Sequence, residues 1–258
     1  DEWNDYVETR GYIKAGRMGY GEPTREYGSQ PSFAYTTLGG SVRVSFGERK
    51  VDLYFKRRHV YNDKPVVFIG GELGSYRTDA MRSYRMYGNM NVIVRQDVRL
   101  GQAGRLHYAV QGGAVIGRVP YPLLHIMPGN QTYTFDEERF TLMNNYQYAA
   151  DYYVTLHAHW NGGGVLLNLI PGVRYLRLRE LLEVKVAYGG PYGKHETVIP
   201  FPSGGVLRSL SDVPYVEAGV GIGNILRIGE VYSVWRVTRI SDPTAPYWAM
   251  RFRLKLGL

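Results

Sequence analysis

No cysteine occurs anywhere in this chain of 258 residues. Disulfide scaffolds and thiolate-ligated metal sites are thereby excluded. No apolar run approaches the roughly 18 residues of a membrane-spanning helix, and no helix is evident beyond a short turn in NLIPGVRYLR (168–177). Like charges form no block. The net charge of +8 is spread along the chain, so nucleic acid is not an expected partner. The opening DEWNDYVETRGY lacks a signal peptide, which fits a mature form or an interior cut of a longer chain.

What the chain does have is 23 tyrosines, 32 glycines and long runs of alternating polarity. In TLGGSVRVSF (37–46), Leu38, Val42, Val44 and Phe46 oppose Thr37, Arg43 and Ser45. In YAADYYVTLHAHW (148–160), Tyr148, Ala150, Tyr152, Val154, Leu156, Ala158 and Trp160 oppose Asp151, Thr155, His157 and His159. In LLEVKVAY (181–188), Leu182, Val184, Val186 and Tyr188 oppose Glu183 and Lys185. RLHYAVQGGAVIG, YVEAGVGI and NMNVIVRQDVRL repeat the theme. In YWAMRFRLKLGL (247–258), Trp248, Met250, Phe252, Leu254, Leu256 and Leu258 oppose Arg251, Arg253 and Lys255. Side chains alternate across a strand, so each run has one apolar and one polar face.

These runs are roughly 10 to 14 residues long, against about 5 or 6 for a soluble strand and about 9 to 11 for a tilted strand crossing a bilayer. Aromatic residues at their ends (Tyr148, Trp160, Tyr188, Trp248) suit interfacial girdles. A mean hydropathy of −0.29 is compatible with a barrel whose strands face lipid on one side and a polar lumen on the other. The expected fold is therefore all-β: one transmembrane antiparallel β-barrel domain over residues 1–258, with about 10–12 strands. Eleven are discernible, near 7–18, 34–46, 50–58, 65–74, 84–99, 103–117, 146–160, 180–189, 214–222, 229–240 and 247–258. The lumen-facing charges are Arg43, Arg95, Arg105, Glu183, Lys185, Glu217, Arg251, Arg253 and Lys255. The lipid-facing C-terminal strand presents Trp248, Met250, Phe252, Leu254, Leu256 and Leu258. With the C-terminus periplasmic, links 118–145, 190–213 and 241–246 fall outside, and 100–102, 161–179 and 223–228 fall in the periplasm.

Three stretches carry a family resemblance: VPYPLLHIMPGNQTYTF (119–135), the run 140–189, and PYVEAGVGIGNILRIGEVYSVWRVTRI (214–240). They resemble the C-terminal barrel region of large Bacteroidetes outer-membrane proteins with a carboxypeptidase-regulatory-like N-terminal domain. The resemblance implies a bacterial outer-membrane location and the C-terminal part of a larger barrel of roughly 16 strands. The segment GGGVLLNLIPGVRYLRLRE is more distantly similar to BamA/TamA-type surface-antigen barrels. Those barrels fold a long loop into the lumen where 118–145 falls, but MPGNQTY replaces their expected motif. The loop residues carrying the family pattern are Pro120, Tyr121, Pro122, Pro128, Gly129, Asn130 and Tyr133. Its apolar middle is expected to tuck into the lumen or meet a partner chain.

Candidate chemistry is sparse. His157, His159 and Asp151 share the polar face, with His107 a conceivable third metal ligand, but a hydrogen-bonded network is the expected reading. Gly219, Gly221 and Gly223 lack the spacing and helix of a dinucleotide loop and are expected to relieve crowding. Asp136, Glu137 and Glu138 are expected to be a solvated acidic cluster. No Gly-x-Ser-x-Gly elbow is present, and no cofactor, metal site or enzymatic activity is expected. The expected partners are outer-membrane lipid, lipopolysaccharide, and other outer-membrane or periplasmic proteins. The distant BamA-type similarity implies a scaffold or assembly function in a multi-protein complex; the alternative is a pore or an uptake component.

Overall fold

The computed structural model describes residues 4–19, 32–53, 56–61, 64–78, 81–130, 132–145, 147–190, 210–240 and 245–254. The strands are β1 (Asn4–Gly19), β2 (Ser32–Leu53), β3 (Lys56–Tyr61), β4 (Val66–Thr78), β5 (Arg85–Arg99), β6 (Arg105–Ile116), β7 (His125–Ile126), β8 (Ala149–Ala150), β9 (Tyr152–Asn161), β10 (Arg179–Gly190), β11 (Tyr215–Ile225), β12 (Gly229–Arg236) and β13 (Trp248–Leu254). The fold is all-β. Ten strands form an antiparallel meander in the order β1-β2-β4-β5-β6-β9-β10-β11-β12-β13, and β7 pairs with β8 apart from it.

Two expected strand boundaries shift. The runs 34–46 and 50–58 do not form separate neighbouring strands. β2 runs through the first and on to Leu53, and β3, from Lys56, folds back on its far end in line with β4, so that β3 and β4 together line one edge of β2. The expected count of eleven thus becomes a path of ten. The run 146–160 also divides. Ala149–Ala150 pairs with His125–Ile126, and the long strand begins only at Tyr152. Tyr148 and Ala150 are therefore buried rather than on the apolar outer face, and Tyr148 is no girdle residue. Lys255, Leu256 and Leu258 lie outside the described residues.

The sheet has two unlike faces. One bears large apolar side chains and is exposed: Val7 and Ile13 of β1, Leu38 and Val42 of β2, Ile69 and Leu73 of β4, Met86, Met90 and Val92 of β5, and Val110 and Ile116 of β6. It continues through Val154, Leu182, Val184, Val220 and Ile222 to Trp248, Met250, Phe252 and Leu254. The opposite face carries the polar and charged residues, yet in β9 to β12 it is the buried one. Thr155, His157, His159, Glu183, Lys185, Glu217, Glu230 and Arg236 are all inaccessible or nearly so.

Some of the tyrosines and glycines are paired across strands on that second face. Tyr12 stands directly opposite Gly39, Tyr87 opposite Gly74, Tyr153 opposite Gly113 and Tyr232 opposite Gly221. Each ring lies over its glycine: a Cβ added to Gly39 would sit 2.5 Å from the Tyr12 ring, and one on Gly113 2.7 Å from the Tyr153 ring. Cross-strand pairs of this kind pin register and fill the space beside a glycine.

Residues 118–150 cover the polar face, and the apolar core lies between this segment and the sheet. Val119, Leu124 and Ala149 pack with Phe33, Tyr76, Tyr87 and Val115. Met127, Phe140, Met143 and Tyr148 pack with Tyr153, Ala187 and Tyr215. Phe135 and Leu142 pack with Leu181, Tyr232 and Val234.

Candidate functional site

The covering segment first shapes itself. Pro122 opens a 3-10 turn at Tyr121–Leu123. The buried Asn130 side chain accepts from the Thr132 backbone at 2.9 Å and hydroxyl at 2.6 Å, and donates to the Thr134 carbonyl at 2.8 Å. Such local bonds fix a turn without strand or helix. The Asn130 and Phe140 amides donate to the carbonyls of Phe140 and Pro128, respectively, closing the segment on itself. Among the family-pattern residues, Pro120, Gly129 and Asn130 are buried, Tyr121, Pro122 and Pro128 half-buried, and Tyr133 exposed.

Two strand residues then clamp this segment to the sheet. Glu217 is wholly buried and accepts the amides of Thr141 and Leu142, each at 2.7 Å, and the Tyr215 hydroxyl at 2.7 Å. Lys185 donates to the carbonyls of Asp136 at 2.9 Å and Arg139 at 2.8 Å and to the Thr141 hydroxyl at 3.1 Å, with Glu183 at 3.3 Å. The ammonium also stands over the Phe135 ring. Burying a charge is costly unless donors or acceptors replace its water. Here the backbone of residues 136–142 supplies them, so the clamp is complete only when the segment is docked.

A second network centres on Arg253. Its guanidinium pairs with Glu137 of the segment and Glu230 of β12. The Tyr232 hydroxyl donates to Glu230 at 2.8 Å and lies 3.0 Å from His159 Nε2, and His159 Nδ1 is 3.8 Å from Glu137. Phe135 stacks on Tyr232 with ring centroids 3.8 Å apart. Burial pushes the Glu137 carboxyl upward, but Arg253 and His159 outweigh it and hold the group below the usual carboxylate value. Glu137 is thus no solvated member of an acidic cluster, as expected from the sequence, but the anchor of the segment. The same cluster's Glu138 meets Arg95 at 3.0 Å, and Asp136 caps the Glu138 amide at 2.9 Å.

The segment also reaches the sheet's edge. Thr134 bridges Phe252 in parallel sense: the Phe135 amide donates to the Phe252 carbonyl at 2.8 Å, and the Phe252 amide to the Tyr133 carbonyl at 3.2 Å. Among the described residues, β13 otherwise pairs only with β12, and β1 only with β2.

The sequence-derived charges fall as follows. Glu183, Lys185, Glu217, Arg251 and Arg253 meet in the clamp region, Arg251 donating to the Thr141 carbonyl at 3.2 Å. Arg43 pairs with Glu8 at 3.7 Å, and Arg105 stands exposed at the end of β6. The histidines join hydrogen-bonded groups: His107 lies 2.9 Å from Asp97, and His157 bonds the Glu137 backbone. No three His, Asp or Glu groups converge as metal ligands among the described residues. His125, in the segment, stacks on Tyr153 with centroids 3.5 Å apart, and burial pushes its imidazole down to about 4. Tyr215, Tyr232, Glu230 and Thr141 were not legible as site residues, because their roles arise from a segment distant in sequence.

No curated protein matches the chain. Residues 22–194, about two thirds of the sequence, match a family described only as a C-terminal domain of unknown function, and the chain belongs to that family, DUF5686.

Proposed function

We propose that this chain is an integral β-barrel of the Gram-negative outer membrane, with its C-terminus periplasmic, and that it serves as a scaffold or assembly component in a multi-protein complex. The observation that carries the location is the inverted sheet: an apolar face is exposed along every strand of the path, and in β9 to β12 the opposite, charged face is the buried one. A soluble sheet does the opposite, and contiguous exposed apolar surface of this extent marks contact with lipid or protein. In lipid both sheet edges need partners, so β1 and β13 meet each other or further strands in the membrane. The three-residue link 226–228 and the five-residue link 100–104 lie at the end assigned to the periplasm, where outer-membrane barrels place their tight turns.

Two features favour assembly over a pore. The 118–150 segment is clamped across the polar face, which opposes a standing channel. The β13 edge is held by a short contact from residues 133–135, and an edge so lightly held suits the addition of a strand from another chain. Other outer-membrane or periplasmic proteins are the partners in this reading, and phospholipid and lipopolysaccharide contact the apolar belt.

Native purification in mild detergent tests the role. Stable partners should co-purify, and depletion should lower the levels of other outer-membrane barrels. Cysteines placed at Thr134 and Phe252 of this otherwise cysteine-free chain should cross-link and reduce partner recovery. A lone monomer with stepwise open conductance would overturn the assembly role.

A further inference from the structure

At the end of the sheet bearing the 226–228 turn, a cleft of about 940 Å³ is lined by Gly163, Asn168, Tyr175, Asn224 and four arginines, Arg174, Arg177, Arg179 and Arg227. Among the described residues, none of the four pairs with a carboxylate. The nearest acid in sequence, Glu180, accepts the Leu166 amide at 3.1 Å and forms no ion pair with the four among the described residues. Like charges gathered without a counter-ion repel each other, so this cluster is at its most stable with an anion among it.

The backbone around the cleft is unusual as well. Arg177, Asn224, Leu226 and Arg227 all have positive φ, four of the five such non-glycine residues described. Left-handed geometry costs a non-glycine residue, yet here it sets two of the arginines on the cleft. The Asn224 amide braces it, donating to the Arg177 carbonyl at 2.6 Å.

Tyr175 of the lining is exposed, and so are the apolar residues next in sequence to the lining ones: Leu166, Leu169, Ile170, Leu176 and Leu226, the last 88% exposed, which form an apolar rim. Arg174 donates to the Tyr175 hydroxyl at 3.0 Å, which leaves its charge uncompensated, and an apolar rim beside guanidinium groups without a carboxylate partner matches the boundary between acyl chains and phosphates. Arg binds phosphate in bidentate fashion, and an apolar side chain beside it enters the acyl layer. A soluble anion would use the arginines but leave the rim in water.

We infer that this cleft binds the phosphate of an anionic phospholipid headgroup and fastens this end of the sheet to its leaflet. The inference rests on the outer-membrane barrel reading and deepens it.

The test uses the full chain in detergent micelles, with phosphatidylglycerol, phosphatidylcholine and inorganic phosphate titrated in turn and retention read by native mass spectrometry. Phosphatidylglycerol should be held about tenfold more tightly than phosphatidylcholine, equivalent to about 1.4 kcal/mol. The triple variant Arg174→Gln, Arg177→Asn, Arg227→Asn should bring the two lipids to parity. Asn is chosen at 177 and 227 because it tolerates the left-handed region. Arg174→Gln alone, which leaves the left-handed positions untouched, should show part of the loss if the triple variant does not fold. Unchanged preference in the variants overturns the site, and displacement of the lipid by millimolar phosphate reassigns it to a free anion. Insertion into phosphatidylcholine vesicles is scored separately. A chain that inserts without headgroup preference refutes only the cleft, whereas one that fails to insert refutes the barrel reading.

Discussion

Lys185 and Glu217 hold opposite charges with little access to water, and each depends on the backbone of a segment far away in sequence. Removing one member of a buried, satisfied set leaves its partners unpaired, which costs about 3–5 kcal/mol. Lys185→Met should therefore destabilise the protein by about that amount in urea unfolding, and expose residues 123–143 to protease before the strands unfold. Lys185→Met with Glu183→Leu removes the stranded carboxylate too and should recover part of the loss, the signature of coupled neighbours. His125 gives a separate handle through pH. Its imidazole is kept neutral by burial down to about 4, against an ordinary value of 6.5. The undocked state thus takes up a proton first as pH falls. The stability it favours is whole above about pH 6.5 and is lost progressively towards pH 4. His125→Phe, keeping the stack on Tyr153, should flatten melting temperature over that interval. The Glu137 contribution is lost only below the usual carboxylate value, so the two groups separate on the pH axis.

At the scale of single strands, β13 offers the sharpest test of which face meets lipid. Leu254 is exposed on the apolar face, whereas its neighbour Arg253 turns to Glu137 and Glu230. Midway along the same face stands Met250, opposite Ser233 and away from the 226–228 turn, and Met250→Arg should cost about 2–4 kcal/mol in a bilayer and little in urea unfolding without lipid, measured on the same preparation refolded with and without lipid. Equal stability in both would remove the membrane from the account. Strands were the most legible part of this molecule, because a period of two needs only neighbours in sequence to be seen. The limits of β2 and β9 were not. Polarity alone cannot say that β3 turns back on β2, nor that Asp151 interrupts a run in which Tyr148 and Ala150 keep the same alternation. The tyrosine and glycine counts could be read, but their pairing across strands could not. The acidic run 136–138 misled for the same reason: what buries Glu137 is Arg253, more than a hundred residues on.

For the molecule as a whole, the decisive question is whether the covered face can open. Its charges lie beneath the 118–150 segment, and the three apolar clusters all require that segment in place. A barrel so filled should give planar bilayers no steady conductance. Loosening the segment should change that. Glu217→Gln weakens the acceptor for the Thr141 and Leu142 amides, and Glu137→Gln removes the partner of Arg253. The double variant should show brief stepwise openings. With Arg43, Arg95, Arg105, Arg251 and Arg253 on the unblocked face, those openings should pass anions somewhat better than cations. Replacing residues 119–147 by a Gly-Ser link should lengthen the openings, provided the strands still resist protease. Because pore and plug are read in one recording, the outcome divides the two roles. A silent wild type with a leaky variant fits a filled barrel whose segment is a movable part. A wild type that conducts as well as its variants means that the segment does not seal the lumen, and the transport role replaces the assembly one.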